Sequence, residues 1–438
     1  MSTNNLGQLK TDRHLAKSGM VLSLGRVLGA GLQFLSIILL SSIWSEEKVG
    51  IWILFSALIQ ILISFDFGIG QGIRLAFVSK NLNKETAEGA VFFNAGVNFL
   101  LISSAFMFVL LSGTSYFVDI NTLLSVHENT LLERTHSILL GFLFFSHITI
   151  PTILIGQMFY AFFEPEKIVL FDLIRGFLLV LISLFARFLD FTFVMFLLFF
   201  ANFISRFGYS ILFYRIRGWK FKFIRPKIIW IYIQPIIIKS LEFWVLAILA
   251  VLQGGLMPWM IAKASSLIEV SRTGLILQIF TFILVLQLSF LLPIQSRYTL
   301  ELAIWSRKVY LRSLFLISCI VPIFSILIYL FLPILELILK KKLFLSLENY
   351  FLIIIWLLLW SLINATSVLL NGFGQIKVQI VGLVISQAIA VLPIIFIEKS
   401  GLFLLMIFIN SGLFIFLVIS MMAASKIIFT TQKSILHS

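Results

Sequence analysis

Apolar runs of about twenty residues alternate with short polar connections along the whole chain. Each run is long enough for a helix to cross a hydrocarbon core about 30 Å thick. The pattern predicts spans at about 19–42, 51–78, 91–112, 137–162, 168–186, 191–214, 233–259, 267–293, 309–332, 349–371, 377–397 and 401–423. The sequence therefore predicts an all-α, polytopic membrane protein of about twelve transmembrane helices.

The composition agrees with this interpretation. Of 438 residues, 60% are hydrophobic and 12% are charged, and the mean hydropathy is +1.09, whereas an average soluble domain has roughly 25% charged residues. The first apolar run follows a basic leader without a small-residue cleavage site, so we expect a retained helix and not a signal peptide. Cys319 is the only cysteine, which excludes an intrachain disulfide and a cysteine metal cluster, and we expect neither metal nor cofactor.

The basic residues predict the orientation. Positive charge concentrates in the connections on one side, and the positive-inside rule makes that side cytoplasmic together with both termini. These residues are Lys80, Lys84, Lys167, Arg215, Arg217, Lys220, Lys222, Arg225, Lys227, Arg297, Arg307, Lys308 and Lys377. The run from Lys340 to Lys342 is the exception. The connection "RIRGWKFKFIRPK" divides the spans six and six, which predicts an N-terminal bundle at 1–214, a cytoplasmic basic linker at 215–232 and a C-terminal bundle at 233–438.

The stretch "SFDFGIGQGIRLAF", from Ser64 to Phe77, is unusually polar for the end of a span. Its Asp-Phe-Gly lacks the other kinase motifs, and its glycines have neither the spacing nor the strand–helix context of a dinucleotide site. No P-loop motif occurs in the chain, so we expect no direct ATP binding. We instead expect a helix with one hydrated face, formed by Ser56, Gln60, Ser64, Gln71 and Arg74, whose glycines allow bending or the close approach of another helix.

Several spans also carry charged residues, which are costly in lipid and therefore tend to face protein or water. Arg26 and Gln33 lie on one stripe of the first span, Lys239 and Glu242 lie in the seventh, and Arg272 follows Glu269 in the eighth. We expect a shared hydrated cavity in which basic groups outnumber acids. Guanidinium groups bind phosphate bidentately, so the predicted guest is a phosphorylated anion. The i,i+3 spacing of Lys239 and Glu242, and of Asp172 and Arg175, also fits local ion pairs.

The segment "DFGIGQGIR", Asp66 to Arg74, resembles the Asp-Leu-Gly-Leu-Gly-Asn-Gly-Leu-Arg segment of Wzx-type O-antigen flippases, with Gln71 in place of Asn. The arginine of the first helix and the "PIQSRYTLELA" segment, Pro293 to Ala303, are also similar to that family. It belongs to the superfamily of multidrug, oligosaccharidyl-lipid and polysaccharide exporters. The resemblance implies two six-helix bundles that alternate access between the two sides of a bacterial inner membrane.

The resemblance further implies a substrate and roles for individual residues. The substrate would be an undecaprenyl-pyrophosphate-linked O-antigen repeat unit, moved from the cytoplasmic to the periplasmic leaflet. Arg26 and Arg272 would bind the pyrophosphate and Lys239 would add positive potential, while polar residues including Arg74, Gln33 and Gln60 would complete the site. Asp66 or Glu242 would couple transport to protons or sodium. A polysaccharide polymerase and a chain-length regulator would be protein partners, and nucleic acid would not.

Two other functions are also compatible with the sequence. A multidrug exporter of the same superfamily has the same architecture, although a cationic drug favours an acidic cavity. An O-antigen polymerase is also multi-spanning, but it resembles proteins whose large outer loop carries several arginines. The longest outer loop here, about Ser112 to His136, contains only Arg134.

Topology reporters test the predicted orientation. Fusions after Arg225 and after Lys433 should report cytoplasm, and a fusion after Val126 should report the outer side, because the charge bias fixes the inner connections. Alkaline phosphatase and green fluorescent protein activities give the two readouts. An outer-side signal at Arg225 would overturn the order of the spans.

Overall fold

The structure is a computed structural model and is helical almost throughout the part of the chain that it describes. That part comprises residues 24–79, 87–117, 129–162, 164, 166–298, 303–339, 343, 345–373, 375–396 and 401–436. No β-strand occurs within these ranges. The all-α prediction is confirmed.

Fifteen α-helices account for the described ranges, and three short 3-10 turns join some of them at Ser64–Asp66, Ala186–Phe188 and Gln234–Ile236. In chain order the helices are α1 Leu24–Ile43, α2 Glu46–Ile63, α3 Ile69–Ser79, α4 Ala87–Ser115, α5 Asn129–Ala161, α6 Glu166–Phe185, α7 Phe191–Arg217, α8 Pro226–Ile233, α9 Ile237–Gly255, α10 Met257–Ala264, α11 Leu267–Tyr298, α12 Ala303–Leu339, α13 Leu347–Gly372, α14 Ile376–Phe396 and α15 Gly401–Leu436.

Within the described ranges, eleven helical segments are long and apolar enough to cross a membrane, and a shorter apolar segment, Ile376–Val391, is a twelfth. These segments correspond one to one with the spans expected from the sequence. The chain is a multi-pass membrane protein. The cytoplasmic location of both termini stays a prediction. The exception at Lys340 to Lys342 lies outside the described residues.

The second span differs from the prediction, because it is not one continuous helix. Between α2 and α3 the chain forms a 3-10 turn and then two residues of positive φ, Phe67 (53°) and Gly68 (66°). The Asp66 carboxylate accepts a hydrogen bond from the Gly68 amide at 3.0 Å. The supposed single polar face from Ser56 to Arg74 is therefore interrupted at its centre.

Contacts between residues divide the chain into two compact units. The first consists of the residues up to Leu40 together with Leu58–Ile248, and the second consists of Ser41–Ala57 with Leu249–Ser438. The division passes through α2, whose residues up to Ala57 belong to the second unit and whose residues from Leu58 belong to the first. The bundles predicted at 1–214 and 233–438 stay a prediction.

Aromatic side chains form the core of the first unit. Phe93 of α4 packs against Phe213 of α7 with ring centroids 5.0 Å apart, and Phe159 of α5 meets the same Phe213 ring at 5.2 Å. Phe77 of α3 stacks on Phe92 at 5.5 Å. Four helices are thus joined by edge-to-face and stacked rings, which add to the packing that holds helices together within lipid.

Small residues and buried hydrogen bonds organise the second unit. A Cβ added at Gly412 of α15 would meet the Ser386 carbonyl oxygen of α14 at 2.5 Å, so these two helices approach each other closely. The Tyr350 hydroxyl donates to the Ser325 carbonyl at 2.8 Å, and the Asn410 amide donates to the Leu352 carbonyl at 2.9 Å. Both devices are typical of helix packing in lipid, where the hydrophobic effect does not drive association.

Gly68→Ala should destabilise the first unit. The residue has a positive φ, and a Cβ there would lie 2.0 Å from the Ser240 carbonyl oxygen of α9. Strained backbone and overpacking together should cost about 2 kcal/mol or more. The thermal unfolding midpoint of the purified protein is the measurement. The matched control is Gly113→Ala in α4, where nothing lies within 4 Å of the added Cβ; equal midpoints for the two variants would contradict the packing at Gly68.

Candidate substrate-binding site

Two arginines of the first unit converge on one tyrosine. Arg26 of α1 donates a hydrogen bond from Nη2 to the Tyr160 hydroxyl in the last turn of α5. The Arg74 guanidinium of α3 lies over the Tyr160 ring, with Cζ 5.5 Å from the ring centroid. Cation–π attraction and the hydrogen bond hold both positive groups at the same aromatic side chain. We call these three residues the Tyr160 cluster.

Close packing between α1 and α6 fixes the position of Arg26. A Cβ at Gly25 would lie 1.8 Å from Val169 Cγ1, and a Cβ at Gly176 would lie 2.8 Å from Leu32 Cβ. Glycines on both helices thus allow the backbones to approach, which is the usual role of small residues at helix interfaces in lipid. Arg26 follows Gly25 directly in α1, so the interface with α6 fixes the position of Arg26 along the helix.

The break between α2 and α3 fixes the position of Arg74. Gly72 lies against Ser240 of α9, where an added Cβ would meet the hydroxyl oxygen at 2.0 Å. Gly70 lies against Gln157 of α5, with Cγ 3.1 Å from an added Cβ. Gln157 precedes Tyr160 by one turn, and its Oε1 atom is buried and accepts no hydrogen bond from the described residues. The contact of Gly70 with Gln157 thus joins α3 to α5 one turn before Tyr160.

No carboxylate neutralises Arg26 or Arg74 among the described residues. Neither arginine takes part in any of the ion pairs found there. Asp66 is close to Gly70, but its Oδ1 atom accepts from the Gly68 amide. The Tyr160 cluster thus carries uncompensated positive charge on half-buried side chains. An anion would supply the missing charge and hydrogen-bond acceptors.

The structure describes the side chain of one of the two predicted glutamine ligands. Gln33 follows Arg26 by two turns of α1, and its side chain is exposed. The side chain of Gln60 lies outside the described residues. Both assignments stay predictions, and the structure adds Tyr160 as a neighbour of both arginines.

Two charged pairs of the first unit are local. Lys239 Nζ lies 3.2 Å from Glu242 Oε2 in α9, and the lysine side chain is 68% exposed. Arg175 Nη2 lies 3.8 Å from Asp172 Oδ1 in α6. Both have the i,i+3 spacing of surface pairs on one helix. The ion-pair alternative from the sequence is confirmed for both, and the roles of Lys239 in substrate binding and of Glu242 in ion coupling stay predictions.

Arg272 belongs to the second unit and lies between two carboxylates. Its Nη1 atom is 3.4 Å from Glu269 Oε1, one turn earlier in α11, and its Nη2 atom is 3.3 Å from Glu46 Oε2 at the start of α2. The three side chains are 28%, 28% and 25% exposed. Two acids thus face one base, which distinguishes this arginine from those of the Tyr160 cluster. Its predicted contact with substrate phosphate stays a prediction.

Comparison with known proteins finds likeness in structure only. No family model matches the chain, and no curated protein sequence is detectably similar to it. Among solved structures, an inward-facing multidrug resistance MATE family transporter of the MOP superfamily is similar, with a TM-score of 0.70 and 15% identity over 94% of this chain and 99% of the other.

Two further solved structures are similar over nearly their whole length. The Vibrio cholerae MATE transporter VcmN has a TM-score of 0.62 and 15% identity, covering 94% of this chain and 98% of the other. A MOP superfamily transporter from Pyrococcus furiosus with a binding pocket of reversed polarity has a TM-score of 0.55 and 14% identity, covering 95% and 97%. At such low identity the comparisons establish the fold, and the chain has the fold of these transporters.

The Arg272 triad yields a double-mutant test. Arg272→Met should destabilise the protein because Glu46 and Glu269 then face each other without a cation, and adding Glu269→Gln should restore part of the loss. The expected coupling is about 1 kcal/mol, since the groups are partly solvated. Thermal unfolding of the purified single and double variants measures it. Arg312→Met on α12, at an exposed residue in no ion pair within the described ranges, is the control. Strict additivity would contradict the triad.

Proposed function

We propose that this protein is a flippase that moves undecaprenyl-pyrophosphate-linked O-antigen or related polysaccharide repeat units from the cytoplasmic to the periplasmic leaflet by alternating access through a cationic cavity. The proposal places it in the bacterial inner membrane with both termini in the cytoplasm. Its assignment to the Wzx type rests on the "DFGIGQGIR" segment, and its status as a transporter rather than an enzyme follows the fold of its structural neighbours.

The uncompensated charge of the Tyr160 cluster is the observation that carries the proposal. Arg26 and Arg74 meet at one phenol ring, and neither has a carboxylate partner among the described residues. A pyrophosphate supplies several acceptor oxygens and negative charge, which matches two guanidinium groups held close together.

The other predicted ligands should contribute less to transport than Arg26 and Arg74. Arg272 and Lys239 have carboxylate partners in their own units, so replacing either should cost less transport than replacing Arg26. Asp66 and Glu242 are the proposed ion-coupling groups. Protonating Asp66 would weaken the bond that it accepts from Gly68, and proton binding would then act on the break between α2 and α3.

A multidrug exporter is the second candidate, favoured by the multidrug resistance transporters among the similar structures. Polarity separates the two candidates, because a cationic drug needs acidic or neutral aromatic partners, and the Tyr160 cluster is cationic. The Pyrococcus furiosus transporter of the same fold, with its pocket of reversed polarity, supports the idea that one fold serves guests of different charge. A polysaccharide polymerase and a chain-length regulator are the proposed protein partners.

Transport of lipid-linked glycan in reconstituted vesicles tests the proposal. Arg26→Ala and Arg74→Ala should each slow translocation by about tenfold or more, because each removes a charge-assisted bond from the bound phosphates. Lys at either position should restore only part of the rate, since an ammonium lacks the bidentate fork. Protection of the labelled glycan from a glycosidase added outside the vesicles, measured against time, gives the rate.

The control is Arg187→Ala, which removes an exposed arginine in the turn after α6, away from the cluster. Its transport should equal that of the unmodified protein at equal reconstitution. Normal rates for both Arg26→Ala and Arg74→Ala would refute phosphate binding by the cluster. Efflux of a cationic dye without glycan translocation would instead favour the multidrug exporter.

A further inference from the structure

The connection between α7 and α8, residues 219–225, is extended and fixed in place by two asparagines. Gly218 ends α7 with a positive φ of 63°, and α8 begins at Pro226. The seven residues between them read "WKFKFIR". They have no helical bonds of their own, so their order depends on contacts with α4.

Asn94 and Asn98, one turn apart on α4, bind the backbone of this connection. Asn94 donates to the Lys220 carbonyl at 3.2 Å and accepts from the Lys222 amide at 3.3 Å. Asn98 donates to the Lys222 carbonyl at 2.8 Å and accepts from the Ile224 amide at 3.4 Å. Each side-chain amide thus bonds both polar groups of the peptide backbone, as a neighbouring β-strand would. Four hydrogen bonds thus hold the connection along α4.

The α7–α8 connection presents two aromatic rings to the outside. Phe221 is 40% exposed and Phe223 is 85% exposed, and their rings meet edge to face with centroids 4.9 Å apart. Ring exposure of this kind is costly in water and favourable at the boundary between lipid and water. The connection joins two membrane-spanning segments through seven residues, so it lies at that boundary.

Positive charge surrounds the two rings. Lys220, Lys222, Arg225 and Lys227 are all exposed, and none forms an ion pair with a described residue. The sequence contains no Asp or Glu from Phe191 to Leu241. Glu164, which lies next to Arg217 at the end of α7, is bonded to Arg217 at 2.5 Å and to Lys167 at 2.8 Å. The cations therefore have no acidic partner in the described part of the chain.

Arg217 fixes the start of the connection. Besides its bond to Glu164, its guanidinium lies 4.3 Å from the Phe162 ring centroid and 5.8 Å from that of Phe213. At the other end, Ile229 and Ile233 of α8 are buried, while Trp230 and Ile231 are exposed. Both ends are anchored, so the aromatic and basic side chains are arranged before any ligand arrives.

We propose that the α7–α8 connection is a binding surface for the headgroups of anionic phospholipids. Lys222, Arg225 and Lys227 bind the headgroup phosphates, and Phe221 and Phe223 insert at the acyl boundary beside them. Membrane lipids of the leaflet that the connection faces are the only occupant proposed. The inference does not depend on the transported substrate, so it stands or falls separately from the flippase proposal.

Lipid binding to the full-length protein in neutral detergent tests this surface. Native mass spectrometry would count bound dioleoylphosphatidylglycerol and dioleoylphosphatidylcholine in parallel titrations. The unmodified protein should bind the anionic lipid more tightly. Lys222→Gln with Arg225→Gln should weaken that binding about tenfold or more, since each basic residue contributes appreciably to attraction by anionic lipid. Phe223→Ser should weaken binding of both lipids.

The matched control is Arg187→Gln with Lys263→Gln, which removes the same charge from two exposed residues elsewhere, in the turn after α6 and in the last turn of α10. It should leave most of the anionic-lipid affinity intact. Affinity for the phosphatidylglycerol that is equal in the two double variants would overturn the proposal, and so would equal affinity of the unmodified protein for the two lipids. All replaced side chains are exposed, and the unfolding midpoint of each variant verifies its fold.

Discussion

The requirement that backbone amides and carbonyls be hydrogen-bonded inside a membrane governs the most unusual feature of this chain. The amides and carbonyls of a helix bond to one another within the helix. A break within a span is therefore tolerated only where other protein groups cover its backbone. At the α2–α3 break the Asp66 carboxylate accepts from the Gly68 amide. The Ser240 backbone lies against Gly68, and Trp244 packs on Phe67 with ring centroids 5.4 Å apart. The break is thus sealed by its own carboxylate and by α9.

The contacts at the α2–α3 break explain the glycine-rich, polar sequence around it. Gly68 and Gly72 both lie against Ser240, and Gly70 lies against Gln157, so each glycine has a steric reason that does not involve phosphate binding. With α3 redirected by the break, Arg74 lies over Tyr160 and Gly70 lies against Gln157. The same device that permits a broken helix in lipid therefore positions one of the two arginines of the Tyr160 cluster.

The sequence predicted features set by local spacing and missed those set by distant packing. Span number follows from hydropathy, and the i,i+3 pairs Lys239–Glu242 and Asp172–Arg175 follow from helix geometry. Tyr160 is 134 residues from Arg26, and Glu46 is 226 residues from Arg272. No local sequence pattern predicts either contact. The break at Gly68 was also missed, because apolar residues continue through it, although the glycines signalled bending or close approach.

Charge compensation gives the predicted arginines different chemical characters, although the sequence alone treats them alike. A guanidinium between two carboxylates, as at Arg272, already has its hydrogen-bond acceptors and its countercharge. An anion binding there would have to displace an acid or bind beside it. Arg26 and Arg74 share only a phenol, which is neutral and leaves most of their donors available. Because a buried charge without a partner is costly in lipid, the Tyr160 cluster gains more from an anionic guest than the Arg272 triad does. An anion should therefore bind more favourably at the Tyr160 cluster than at Arg272.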